Sequence, residues 1–209
     1  IKGQARKGKL TMKKFLCVLL TMALALTAVT AFAATPSKTT ANTTRVVRNS
    51  ADGQGVLVFV TEDAEEVLAE IAKVFTAVNT DGMAPIEYFP EDVQAAVAAL
   101  LPEGFDLKTL ELNEFVTVDQ SGYTDAIGDV TAYFEFATPY ALGQKLVMLL
   151  GFYSGEKDAQ DNYEVEWVAL AAEVQEDGLV AVTIPAEYMV KMQTSKAVAA
   201  AVLSEPVAE

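Results

Sequence analysis

The sequence predicts an α+β protein in which a small two-helix α/β subdomain precedes an antiparallel immunoglobulin-like β-sandwich. Apolar residues follow a helical period between residues 61 and 82, and the period changes to two from Leu110 onward. Six strand-type segments then fill about 95 residues, with turns at regular spacing. Many short strands with regular turns are typical of a sandwich.

The first 33 residues have the pattern of a leader. A basic segment at residues 12–14 precedes an apolar run over residues 15–30, and the small-x-small triplet at residues 31–33 is a site that a signal peptidase cuts. We therefore expect residues 12–33 to be a signal peptide and residues 1–11 to be translated upstream sequence. The alternative is an uncleaved membrane anchor, but the run is short for a bilayer span of about 20 residues.

Removal of the leader leaves an acidic chain without histidine or cysteine. The whole chain has a net charge of −14, and six of its 15 Lys/Arg residues lie in the leader, so the remainder carries about −20. The single Cys lies in the leader and no His occurs, which excludes Ser-His-Asp and Cys-His triads and the usual His/Cys zinc sites. We expect no cofactor. The charge also disfavours nucleic acid and anionic lipid as partners.

The N-terminal half is predicted to hold a linker, one strand and two helices. Residues 34–53 are rich in Thr and Ser and indicate a flexible linker, and a strand follows at residues 56–60. One helix begins after Thr61 and a second begins at Pro90, so residues 54–104 form the predicted subdomain. The apolar stripe of the first helix consists of Val67, Leu68, Ile71, Val74, Phe75 and Val78.

Residues 105–209 are predicted to form the sandwich. A bulge is expected near Trp167 and Val168, where the apolar phase shifts, and Glu176-Asp177-Gly178 predicts a hairpin turn. A helical turn is predicted at residues 185–192. The strands are predicted at residues 110–118, 130–136, 146–153, 163–174, 179–184 and 197–203.

Two segments carry a resemblance to a known group of proteins. These are Tyr88 to Phe115, YFPEDVQAAVAALLPEGFDLKTLELNEF, and Gly128 to Tyr140, GDVTAYFEFATPY. They resemble segments of small secreted proteins from Gram-positive anaerobic bacteria, over roughly residues 85–205. The resemblance implies export and the two-part layout with an immunoglobulin-like sandwich, and it carries over no catalytic residue.

Aromatic residues on the predicted strands are the candidate ligand-binding residues. Tyr133, Tyr153, Tyr163 and Trp167 could form a platform for a sugar, because a pyranose ring and an aromatic face exclude water together. Tyr133 alternates with the phenylalanines of its strand, so we expect it to be the most exposed of the set. The alternative for Trp167 is a place at the centre of the core.

Acidic turns raise the possibility of calcium, which takes six to eight oxygen ligands. Neither cluster has the spacing of an EF-hand loop, and acidic residues in turns are ordinary in such a charged chain. We therefore favour solvated turns and expect no metal site. The two clusters are Asp119, Asp125 and Asp129, and Asp158, Asp161 and Glu164.

Glu164 and Glu166 form the one candidate pair for carboxylate catalysis. They alternate along a predicted strand and therefore share a face, about 6–7 Å apart by strand rise. Inverting glycosidases use a separation of that order. Two glutamates on the wet face of a sheet are the favoured alternative, so no catalytic residue is assigned.

These observations together predict a secreted or cell-envelope-associated, non-catalytic binding or structural module of a Gram-positive-type bacterium. Its expected partners are cell-wall or extracellular glycan or protein, with no nucleic acid and no membrane after signal cleavage. The alternatives are a carboxylate-dependent glycan hydrolase and a calcium-dependent adhesion module.

Overall fold

A computed structural model describes residues 45–50, 58–60, 64–121, 128–136 and 139–206. They form an α+β fold with three α-helices, two short 3-10 turns and an antiparallel sheet. The helices are α1 (Glu65–Asn79), α2 (Glu91–Leu100) and α3 (Ala186–Thr194), and the 3-10 turns are Pro85–Tyr88 and Leu107–Thr109. The strands are β1 (Arg45–Asn49), β2 (Val58–Val60), β3 (Glu111–Ser121), β4 (Val130–Glu135), β5 (Leu146–Lys157), β6 (Tyr163–Val174), β7 (Val180–Ile184) and β8 (Ala197–Ser204).

The strands lie side by side in the order β1-β4-β7-β6-β5-β8-β3-β2. Strands β3 to β8 make up the body of the sheet, and the short strands β1 and β2 extend its two edges. Cα atoms of β1 and β2 come within 8 Å of each other, so the sheet curls until its edges meet. Helix α3 follows β7 yet lies against β3, four places away in the order, which puts α3 on the concave inner face.

The immunoglobulin-like sandwich is not confirmed, because the described strands form one sheet. Strand β5 pairs along its length with β6 on one side and β8 on the other; Leu146 is opposite both Ala172 and Ser204. Curling covers the inner face and helices cover the outer one. Both apolar faces are therefore buried without a second sheet, which is the condition that a sandwich would otherwise satisfy.

The outer face of β3, β8, β5 and β6 is covered by α1 and α2. Val67 and Val74 of α1 and Val97 of α2 are completely buried against it, and burying each such side chain stabilises the fold by about 1.5–3 kcal/mol. The buried residues of both helices belong to the same hydrophobic cluster as the strands. The segment predicted as residues 54–104 thus shares its core with the sheet.

The inner face is mainly aliphatic, with the rings of Phe134, Tyr140 and Phe152 among its buried side chains, and it is filled partly by α3. Met189 and Met192 of this helix are buried among Val, Leu and Ile residues from β3 to β8. Strand β5 shows how an unbroken apolar run arises, since Leu149 packs under the helices while Leu150 packs inside the curl. A strand buried on both faces needs no polar alternation.

Two local predictions need correction. Residues 45–49, placed in the linker from their polar surroundings, form β1, because they pair with β4 and Val46 packs against the inner cluster. No bulge occurs at Trp167 and Val168; β6 keeps an unbroken register with β5 there. The apolar phase shifts because Trp167 packs on the outer face and Val168 on the inner one.

Candidate functional site

An opening of about 350 Å³ lies where the end of β5, the start of β6 and the end of α3 meet. Its floor includes Phe152, and its rim carries charged and hydroxyl side chains. We call it the Lys191 groove. Its polar lining consists of Ser154, Glu164, Glu166, Lys191, Thr194 and Ser195.

Lys191 occupies the centre of this lining. Its ammonium contacts the carboxylate of Glu166 and lies 5.2 Å from the centre of the Phe152 ring. The Glu166 side chain is 63% exposed, so the ion pair is screened by water and stabilises the fold by about 0–1 kcal/mol. The position of Lys191 therefore matters more for the groove than for the stability of the fold.

Two of the three hydroxyl groups in the groove already donate their proton to a hydrogen bond. Thr194 Oγ1 and Ser195 Oγ both donate to the carbonyl oxygen of Lys191, at 3.1 and 2.8 Å. Ser154 Oγ accepts from the backbone N–H of Glu156 at 3.1 Å. Because a hydroxyl has one proton and two lone pairs, Thr194 and Ser195 keep acceptor capacity but no free proton.

Helix α3 is held at its start from another element. The residue before the helix is Pro185, whose side chain has no hydrogen-bond acceptor to cap it. The N–H of Ala186, which no carbonyl within the helix can accept, donates instead to Asp129 Oδ1 at 2.9 Å. Asp129 precedes β4 and is far from α3 along the chain, yet its side chain accepts the hydrogen bond that an N-cap residue would accept. This contact and the buried Met189 fix the helix that carries Lys191.

Two of the four predicted aromatic residues lie in the core. Trp167 is 7% exposed and Tyr153 is 0% exposed. The Trp167 ring makes edge contacts with Phe89 at 5.1 Å, Phe115 at 5.8 Å and Tyr153 at 6.4 Å between centroids. Both rings are therefore buried in the outer cluster, so neither presents an open face on which a sugar could stack.

The other two predicted residues are half-buried and lie apart. Tyr163 packs below α1, its hydroxyl donates to Glu65 Oε1 at 3.3 Å, and the Lys157 ammonium lies 4.5 Å from its ring centre. Tyr133 lies on β4, opposite Ala181 of β7, with β7 between it and β6. The four aromatic residues do not form one platform.

The acidic turn after β5 is closed by its own hydrogen bonds. Asp158 Oδ1 accepts from the N–H of Asn162 at 2.9 Å and of Gln160 at 2.8 Å, and the Asn162 backbone bond is the main cause of a lowered pKa of Asp158. Asp161 pairs with Lys157 at 3.2 Å. Among the side chains that the structure describes, no group of three His, Cys, Asp or Glu residues could hold a metal ion; the side chains of Asp119 and Asp125 are not among them.

The structure brings the predicted pair Glu164 and Glu166 into the groove, and both are exposed. It adds Lys191, Thr194 and Ser195, which sequence reasoning did not select. The helical turn predicted at residues 185–192 includes Lys191 but ends before Thr194 and Ser195, which lie at the end of α3 and just after it. No local pattern showed that this helix would dock beside β6.

A second ionisable centre lies between α1 and the 3-10 turn at residues 85–88. Glu70 is buried, Tyr88 donates to its Oε1 at 2.9 Å, and Lys73 lies 4.0 Å from its Oε2. Burial raises the pKa of Glu70, and the contacts with Tyr88 and Lys73 only partly oppose this effect.

Comparisons with known proteins find no relative: no family model, curated protein or solved structure matches the chain. The resemblance to small secreted proteins of Gram-positive anaerobes therefore stays a prediction. Within the described segments, no helix has the length and apolar character to cross a membrane.

Proposed function

We propose that this chain is an exported, non-catalytic binding module of a Gram-positive-type bacterium that holds an envelope or extracellular partner in the Lys191 groove. The leader pattern at residues 12–33 supports export. The observation that carries the binding role is the groove itself. It is about 350 Å³ in volume and combines charged, hydroxyl and ring-bearing side chains, as ligand sites of about 300–1,000 Å³ do.

The curled sheet supports this role in the way that an immunoglobulin-like sandwich would. It is a scaffold whose strand ends and adjoining helix present side chains to solvent. Only the expected role in recognition is retained from the predicted sandwich, since a fold by itself does not determine function.

A glycan hydrolase is the second candidate, because Glu164 and Glu166 both line the groove. A general acid working near neutral pH needs a carboxyl in an apolar or negatively charged surrounding. Both of these glutamates are exposed, and an ammonium contacts Glu166. These surroundings favour binding over hydrolysis. Release of reducing ends from wall glycan by the wild-type protein, lost in Glu164→Gln, would reverse that order.

The binding role is tested by filling the groove. Purified exported protein is immobilised and exposed to wall and extracellular fractions of its host and to a glycan array. Thr194→Arg places a long side chain in the opening, and we expect at least a tenfold loss of the retained partner, equivalent to about 1.4 kcal/mol.

Gln175→Arg is the matched control, because it adds the same charge at the hairpin beyond the opposite end of β6. It should leave capture unchanged. Tyr133→Ala tests the half-buried aromatic residue separately. Equal capture by the wild-type protein and Thr194→Arg would refute the proposed function.

A further inference from the structure

We infer that the Lys191 groove selects a positively charged side chain, lysine or arginine, of a peptide partner; this inference rests on the proposed binding role. It follows from an excess of hydrogen-bond acceptors in the lining, from uncompensated negative charge, and from the lack of an open ring face in the groove.

The acceptor excess comes from counting protons. Thr194 and Ser195 give their only protons to the Lys191 carbonyl oxygen, so their lone pairs are what they offer a ligand. When they are ionised, the carboxylates of Glu164 and Glu166 have no proton to donate and can only accept hydrogen bonds. Ser154 keeps one proton and the Lys191 ammonium already contacts Glu166, so acceptors still outnumber free donors in the lining. A ligand that brings donors fits this lining best, and ammonium and guanidinium groups consist of donors alone.

The charge count points the same way. Two carboxylates and one ammonium line the groove, and that ammonium already contacts Glu166. Within the described ranges Glu164 has no ion-pair partner. The net charge of −14 also attracts cationic partners over the distance that salt allows. A ligand cation would therefore complete the site.

The geometry favours a peptide over an amino sugar. Sugar rings bind by stacking on an open aromatic face, but Phe152 is 3% exposed and Lys191 lies over its ring. No other aromatic side chain in the groove's lining is exposed, since Tyr153 is in the core. A flexible basic side chain needs only the opening and the acceptors.

The probe for the test is a fluorescein-labelled Gly-Lys-Gly-Lys-Gly peptide, with binding measured by fluorescence anisotropy. We expect Glu164→Gln to weaken binding about fivefold, close to 1 kcal/mol. Lys191→Met should strengthen it by a similar factor, because removing the resident ammonium frees Glu166. Opposite effects on binding from two residues of the same groove cannot both come from misfolding.

Glu176→Gln is the control for net charge, since it removes the same charge at the hairpin beyond the far end of β6, roughly 30 Å away by strand rise. Equal weakening by Glu164→Gln and Glu176→Gln would overturn the inference, because it would mean non-specific attraction. Equal binding of the Nε-acetylated peptide, or tighter binding of a glucosamine oligomer, would also overturn it.

The outcomes separate the inference from the proposed function. If Thr194→Arg abolishes partner capture while no variant affects peptide binding, the inference about charge fails and the binding role stands. If Thr194→Arg leaves capture intact, the binding role itself fails.

Discussion

The two faces of the curled sheet differ in what their side chains do. The outer face is closed by α1 and α2 over a set of aromatic rings centred on Trp167. The inner face is mainly aliphatic but also buries the rings of Phe134, Tyr140 and Phe152, and α3 covers it incompletely, which leaves the Lys191 groove at its edge. The difference teaches that a face closed by helices leaves no ring exposed at its centre, while an incompletely covered face leaves charged and hydroxyl side chains exposed at its edge.

The largest expected effect breaks the outer face. Trp167→Ala removes a buried indole and three ring contacts, so we expect the free energy of unfolding to fall by about 3–5 kcal/mol. Urea unfolding followed by circular dichroism measures it. Tyr133→Ala is the comparison, since this half-buried ring should cost clearly less. A loss below 1 kcal/mol for Trp167→Ala would contradict its place at the centre of the core.

A smaller effect is expected where a strand makes room for that ring. Gly151 lies opposite Trp167, and a Cβ built on it would come within 2.7 Å of the indole. Gly151→Ala should therefore cost about 1–3 kcal/mol through overpacking. In a Trp167→Leu background the penalty should shrink, and this coupling is the diagnostic result in a double-mutant cycle. An equal penalty in both backgrounds would mean that the added methyl group does not clash with the Trp167 indole.

These predictions also mark what a sequence can supply. The helices and strands follow from apolar periods, and Tyr163–Val174 has the predicted bounds. The stripe of α1 is confirmed at Val67, Val74 and Val78, whereas Leu68 at its margin is 47% exposed. Period alone assigns residues to a face and leaves open what covers that face.

The same limit explains the sandwich and the aromatic platform. Alternation along β6 places Trp167 and Val168 on opposite faces, but only the docking of α2 outside and the curl inside decides that both are buried. The groove was beyond sequence reasoning for a different reason. Its residues come from three elements separated along the chain, at 152–154, 164–166 and 191–195, and no short motif joins them.

The smallest expected effect is on the pH dependence of stability, and it compares Glu70 on the outer face with Glu164 at the groove. Burial raises the pKa of Glu70 on the outer face, so its contribution to stability is fully present below the ordinary carboxyl pKa and is lost as the pH rises through the raised value. Glu70→Gln keeps an acceptor for the Tyr88 hydroxyl, and because glutamine does not ionise, the variant does not lose stability as the pH rises. We expect the variant to gain stability relative to wild type between acid and neutral pH.

Thermal unfolding between pH 4 and pH 8 measures this gain. Glu164→Gln, the same substitution at an exposed position on the rim of the groove, is the control for the loss of one carboxylate. A constant difference between Glu70→Gln and wild type across this range would mean that Glu70 does not titrate as its burial implies. Tyr88 and Lys73 are the donor and the cation to keep unchanged in this comparison.

The contact between Asp129 and the first N–H of α3 has a consequence for how such a protein could diverge. The width of the opening depends on how the helix is seated, and one terminus of that helix is tethered by a side chain that is not part of the opening. Substituting Asp129 would remove this tether and let the helix shift, while every side chain that lines the opening stays the same. Under the proposed binding role, selection could therefore adjust binding strength at this position without altering ligand preference.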